Sequence, residues 1–125
     1  MPSSERPRDV GLRHMRLPVG AYASILHRIT GLLLIVLIGL GLGLLKTSLQ
    51  NASGFHAVSA FLTQPSARLF GPLAVWVAAQ HLYGGLRHLS LDVHQGFGRN
   101  SSRRSAALVM ALAVGTAFLA ILLWP

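Results

Sequence analysis

The spacing of its charged residues constrains this chain more than any other feature. Seventeen residues without a charge lie between Arg28 and Lys46, eighteen lie between Arg68 and Arg87, and none is charged from Ser105 to Pro125. At a rise of about 1.5 Å per residue, helices of roughly seventeen to twenty residues cover about 26 to 30 Å, the hydrocarbon thickness of a bilayer. The expected fold class is therefore all-α and integral to a membrane, with three transmembrane helices near residues 23–46, 67–91 and 104–124. Composition agrees, since 52% of the 125 residues are apolar and only 11% charged, less than half the charged share of an ordinary soluble domain. Residues 1–22 read as a polar arm and residues 23–125 as the three-helix anchor. The segments 47–66 and 92–103, which contain Asn51, Ser53, Gly54 and Pro65, and Gly96, Gly98 and Asn100, read as loops.

The arm carries Arg6, Arg8, Arg13 and Arg16, and further arginines gather at Arg28, Arg87, Arg99, Arg103 and Arg104. Only Lys46 and Arg68 flank the opposite ends of the spans. By the positive-inside rule the N-terminus and second loop lie in the cytoplasm, the first loop and C-terminus outside. This disposition accounts for most of the net charge of +8, so a topology signal is preferred to a nucleic-acid partner. The first span starts late and runs full length, unlike a cleaved signal peptide. Two acidic residues within a short arm argue against a mitochondrial presequence, and a bacterial inner (cytoplasmic) membrane is expected.

With no cysteine in the chain, disulfides, thiolate metal sites, iron–sulfur ligation and cysteine nucleophiles are excluded. One acidic residue beyond the arm leaves no carboxylate pair for acid/base hydrolysis, and redox chemistry would need a cofactor. Gly39, Gly41 and Gly43 form a face of small residues suited to close helix packing, with a partner inside or outside the chain.

Two polar groups need more than topology to explain them. Ser24 and Arg28 are four residues apart on one face of the first span, where a hydroxyl and a guanidinium can hold a carbonyl oxygen or an anionic propionate. Alternatively, Arg28 snorkels to headgroups while Ser24 caps the helix. On the second span His81, Gly84, Gly85 and His88 share a face, which reads as a flat recess against which a macrocycle could lie, with His81 or His88 reaching its iron. The competing reading is that His81 hydrogen-bonds a neighbouring helix and His88 pairs with Asp92. Both groups fall in the cytoplasmic half of the membrane, where buried ionisable residues are costly and so mark functional sites. A six-coordinate haem needs two axial ligands; the third span offers only Met110, so this chain supplies half a site. His14, His56 and His94 read as solvated residues, and Tyr22 and Trp124 as interfacial anchors.

The runs Ser24-Ile-Leu-His-Arg-Ile-Thr-Gly31 and His81-Leu-Tyr-Gly-Gly-Leu-Arg-His88-Leu-Ser-Leu-Asp92 resemble the two motifs of the cytochrome b membrane-anchor (C) subunit of succinate dehydrogenase, over roughly residues 12–124. The resemblance implies that Ser24 and Arg28 help bind ubiquinone, that His81 is an axial ligand of haem b, and that His27, and less firmly Arg87 and His88, lie near the haem propionates. It also implies a place in a multi-subunit helical bundle. A second anchor (D) subunit would supply the other axial ligand, a flavoprotein subunit would oxidise succinate, and an iron–sulfur subunit would pass electrons to quinone. The nearest rival is a fumarate reductase-type anchor working in reverse. The more distant rival is a cofactor-free structural or transport subunit.

Overall fold

The computed structural model describes residues 17–93 and 98–124. The expected arm, up to residue 16, and His94 lie outside them. Four helices follow one another: α1 (Val19–Gln50), α2 (Ala52–Leu62), α3 (Pro65–Asp92) and α4 (Arg99–Leu123).

The helix α1 begins four residues before the expected start because Pro18, in extended conformation, is the last breaker before the apolar run. It also continues past Lys46. The Thr47 and Ser48 hydroxyls donate to the carbonyls of Gly43 and Leu45, at 3.0 and 2.9 Å, so these polar residues fold back on the helix and do not end it. The expected loop at 47–66 is instead largely the helix α2. Its turn-forming residues act as caps: Asn51 Oδ1 accepts from the Gly54 amide at 2.7 Å, and Pro65 occupies the first turn of α3, where a missing N–H costs nothing. Gly54 lets this first turn press against the Thr47 carbonyl, which a side chain would strike.

The helices α1 and α3 run antiparallel, with Gly20 beside Arg87, His27 beside Gly84, and Gly31 beside His81. The helices α3 and α4 are also antiparallel, joined by Arg87 to Ser102 and Ser105 near one end and by Tyr83 to Thr116 further along, at 3.1 Å. At the far end the Trp124 indole lies on Gly71 and donates to the Leu62 carbonyl at 3.0 Å. The residue expected as an interfacial anchor thus also ties the end of α4 to that of α2.

The buried apolar residues are small: Ala23, Ala67, Val77, Ala79, Ala106, Val109 and Ala113. Large aliphatic side chains such as Leu32, Ile35 and Leu123 point outward. This arrangement suits a lipid solvent, where backbones approach through small residues and leucines face acyl chains. Two helices, α1 and α4, are long and apolar enough to cross a bilayer. The third expected span, α3, has 28 residues but carries Gln80, His81, Arg87, His88 and Ser90, which lower its hydropathy. A Cβ at Gly39, Gly41 or Gly43 would meet nothing within 4 Å. These glycines border an open apolar groove of about 900 Å³ that also takes in Phe61, Phe70 and Ala78.

Candidate functional site

Three imidazoles meet where α1 crosses α3. The His27 and His81 rings stack, with centroids 4.2 Å apart and planes 11° from parallel, and the His88 ring, tilted by 47°, lies 5.1 Å from that of His27. The ring of His81 reaches past α1's side chains to its backbone, with Nδ1 3.1 Å from the carbonyl oxygen of His27. A carbonyl can only accept, so Nδ1 carries the proton and donates it, leaving the Nε2 lone pair available to a metal. This is how metal-binding histidines are commonly held: one nitrogen fixes tautomer and ring orientation while the other is the ligand.

Gly31 explains how the ring gets there. The residue four positions after His27 would normally cover that carbonyl, and a Cβ at Gly31 would stand 2.9 Å from His81 Cε1 and 3.2 Å from Nδ1. Gly84 performs the reciprocal task for His27, since a Cβ there would lie 3.0 Å from His27 Nδ1. Two glycines on facing helices therefore admit the two rings. The recess of Gly84 and Gly85, read from the sequence as a wall for a flat macrocycle, is occupied by the His27 ring. The register between α1 and α3, which sequence spacing does not contain, brings that side chain across. His27 Nδ1 is buried and has no hydrogen-bond partner among the described residues.

Ser24 is half-buried and Arg28 exposed. Arg28 lies about 100° around α1 from His27 and Ser24 about 60°, so both sit on the flank of the packed stripe. Arg87, only 8% exposed, turns toward α4. Its Nε donates to Ser105 Oγ at 3.2 Å, and its Nη2 to Ser102 Oγ and Ser102 O at 3.0 and 3.3 Å. The structure thus brings His27, His81 and His88 together, places Ser24 and Arg28 beside them on α1, and turns Arg87 toward the start of α4, with Gly20 of α1 alongside.

Several participants were not singled out from the sequence. Gly31 is one. Ser102 and Ser105, spaced to share a helical face with the basic run of α4, are others. Gln80 is only 1% exposed, and neither atom of its side-chain amide has a partner among the described residues. It is the first polar residue after Arg68, a signal that was available.

A sequence model described as "Succinate dehydrogenase/Fumarate reductase transmembrane subunit" matches residues 2–122. The succinate dehydrogenase cytochrome b556 subunit of Coxiella burnetii (strain RSA 493 / Nine Mile phase I) is 31% identical over 95 residues, covering 73% of this chain and 74% of that protein. The protein of the same name from Paracoccus denitrificans is 30% identical over 117 residues, covering 94% of this chain and 88% of its own length. The chain belongs to the succinate dehydrogenase/fumarate reductase transmembrane subunit family.

Proposed function

We propose that this chain is the membrane-anchor cytochrome b subunit of a succinate dehydrogenase (complex II), in which His81 ligates haem b from one side while Ser24 and Arg28 bind ubiquinone. Membership of the family and the b556 names of the relatives support the general role. The observation that carries the haem assignment is the 3.1 Å contact from His81 Nδ1 to the His27 carbonyl, which commits the ring to one tautomer with Nε2 as the donor atom. In this reading α1, α3 and α4 all cross the bacterial inner membrane, α1 from a cytoplasmic N-terminus. The polar residues of α3 are tolerated because they face neighbouring helices or the cofactor.

When bound, haem supplies one-electron redox chemistry; the protein's share is to hold and tune it. Stacking on His27 and the bond to its carbonyl fix the His81 ring. His27, and less firmly Arg87 and His88, would lie near the haem propionates. Ser24 and Arg28, about 6 Å apart along α1, offer a hydroxyl and a cation to a quinone carbonyl. The cation stabilises negative charge gathering on that oxygen as electrons arrive, an effect enlarged where water is excluded. Their position on an open flank of α1 suits a site completed by other subunits: a second anchor giving the other axial ligand, an iron–sulfur subunit delivering electrons, and a flavoprotein oxidising succinate. A fumarate reductase-type anchor would use the same groups with the electron flow reversed.

The test is His81→Leu in the assembled complex. Loss or conversion of the low-spin b-type absorption spectrum is expected, and an unchanged spectrum and midpoint potential would remove His81 as a ligand.

A further inference from the structure

On the face of α3 about half a turn away from His81, a cleft of about 370 Å³ opens between α3 and α4. It contains neither the residue assigned above as haem ligand, His81, nor the pair assigned to quinone, Ser24 and Arg28. One end, level with the start of α4, is polar, with Arg87, Ser90 and Ser105 in its wall. From there it runs inward for about 10 Å between apolar side chains, among them Leu108 and Leu112.

The charge of Arg87 is the second observation. Although it is buried to 8% exposure, its hydrogen bonds go only to neutral serine oxygens. The one acidic residue among the described residues, Asp92, is exposed and lies about 140° around the helix from Arg87. An adjoining positive helix end belongs to α4, whose first turns also carry Arg99, Arg103 and Arg104. A cation taken out of water without a counter-charge is costly, and inside a membrane protein it marks a place where an anion is to be received. The size, apolar length and single charged end are those of a ligand cleft with a few convergent polar groups.

We infer that this cleft binds one phospholipid with an anionic headgroup, its phosphate held by the Arg87 guanidinium, with Ser90 and Ser105 redirecting their hydroxyls to it from the carbonyls of Leu86 and Ser102, and an acyl chain lying along Leu108 and Leu112. The inference rests on the reading of α3 as a membrane span, which puts the polar end at headgroup depth. A basic pocket between helices at that level favours anionic over zwitterionic lipid. The lipid would supply the missing counter-charge and fasten the start of α4 to α3.

The assembled complex, delipidated in neutral detergent and returned to nanodiscs of equal parts phosphatidylcholine and phosphatidylglycerol, provides the test, with retained lipid read by native mass spectrometry. One phosphatidylglycerol per copy of this chain is expected in the wild type. Leu108→Trp fills the apolar part of the cleft without touching Arg87, on a side chain already 59% exposed. It should lower occupancy about tenfold and leave the haem spectrum and quinone reduction as in the wild type. Equal retention by the Leu108→Trp complex, equal retention of phosphatidylcholine, displacement of the lipid by inorganic phosphate, or a partner helix seated in the cleft would each overturn the inference. The haem spectrum of the same sample separates the outcomes. A normal spectrum without bound lipid refutes the lipid site alone, whereas a missing haem band counts against the anchor reading.

Discussion

Gly31→Ala sets two effects of similar size against each other and separates the haem site from general stability. On helix propensity alone, alanine should stabilise α1 by about 1 kcal/mol. However, the new methyl carbon would stand 2.9 Å from His81 Cε1 and 3.2 Å from Nδ1, so the ring must retreat by roughly half an ångström or more to regain ordinary contact. The Nδ1 to carbonyl distance, now 3.1 Å, then stretches beyond useful hydrogen-bonding range. The bond is worth about 0.5–1.5 kcal/mol, so the net change in stability should be close to zero. The electronic consequence does not cancel. A ring that no longer donates from Nδ1 is a poorer electron donor at Nε2, which disfavours the oxidised iron. If about 1 kcal/mol of that interaction distinguishes the two oxidation states, the haem midpoint potential should rise by about 40 mV. The assay is a redox titration of the assembled complex followed at its b-type absorption band, with thermal unfolding measured on the same preparation. A Gly31→Ala complex whose potential and spectrum superimpose on the wild type would refute the claim that Gly31 gives His81 access to the His27 carbonyl.

Other perturbations read different parts of the structure. Arg28→Leu should lower quinone reduction by about two orders of magnitude, the usual cost of removing a group that stabilises a developing oxyanion, while succinate oxidation with a soluble dye persists; equal rates in both assays would sink the quinone assignment. Gln80→Leu exchanges a buried amide without partners among the described residues for an apolar side chain of similar size. Since an unsatisfied polar group costs about 1–3 kcal/mol, thermal stability should rise, and a marked fall would mean that a bound water satisfies the amide. Ser105→Ala should cost about 1–2 kcal/mol in thermal unfolding by removing one acceptor from the buried Arg87 guanidinium. Trp124→Phe should lose about 1 kcal/mol through its bond to the Leu62 carbonyl, with the haem spectrum unaltered; a shifted spectrum would show that the far end of the bundle is coupled to the imidazoles.

The helices were legible in the sequence because charge is expensive in hydrocarbon, so that gaps between charges mark out those on which His27, Arg28 and His81 sit, although among the described residues only α1 and α4 are apolar enough to cross a bilayer. Their ends were less legible. Thr47 and Ser48 bond back to their own helix, and Asn51 and Pro65 look like loop residues until their capping roles are seen in space. The site itself was legible as a list of residues and not as an arrangement. Spacing puts His81, Gly84 and Gly85 on one face, but only the register of α1 against α3 reveals that His27 fills the recess. Likewise, the sequence gives Arg87 two flanks to choose from. The serines of α4, brought within 3.0 and 3.2 Å, decide between them.

The same register gives the two flanks of α3 different roles. The first, facing α1, is a stack of three imidazole rings in which His81 and His27 depend on the absence of side chains at Gly31 and Gly84. The second, facing α4, holds a buried cation hydrogen-bonded to hydroxyl and carbonyl oxygens. Exchanging the two would place the guanidinium against the imidazole proposed as the haem ligand. Coulomb repulsion at such distances in a poorly screening medium amounts to several kcal/mol once the ring carries any positive charge. If His81 ligates haem as proposed, holding Arg87 on Ser102 and Ser105 keeps a cation off its ring. Under the proposed lipid site it also leaves the charge within reach of an anionic headgroup.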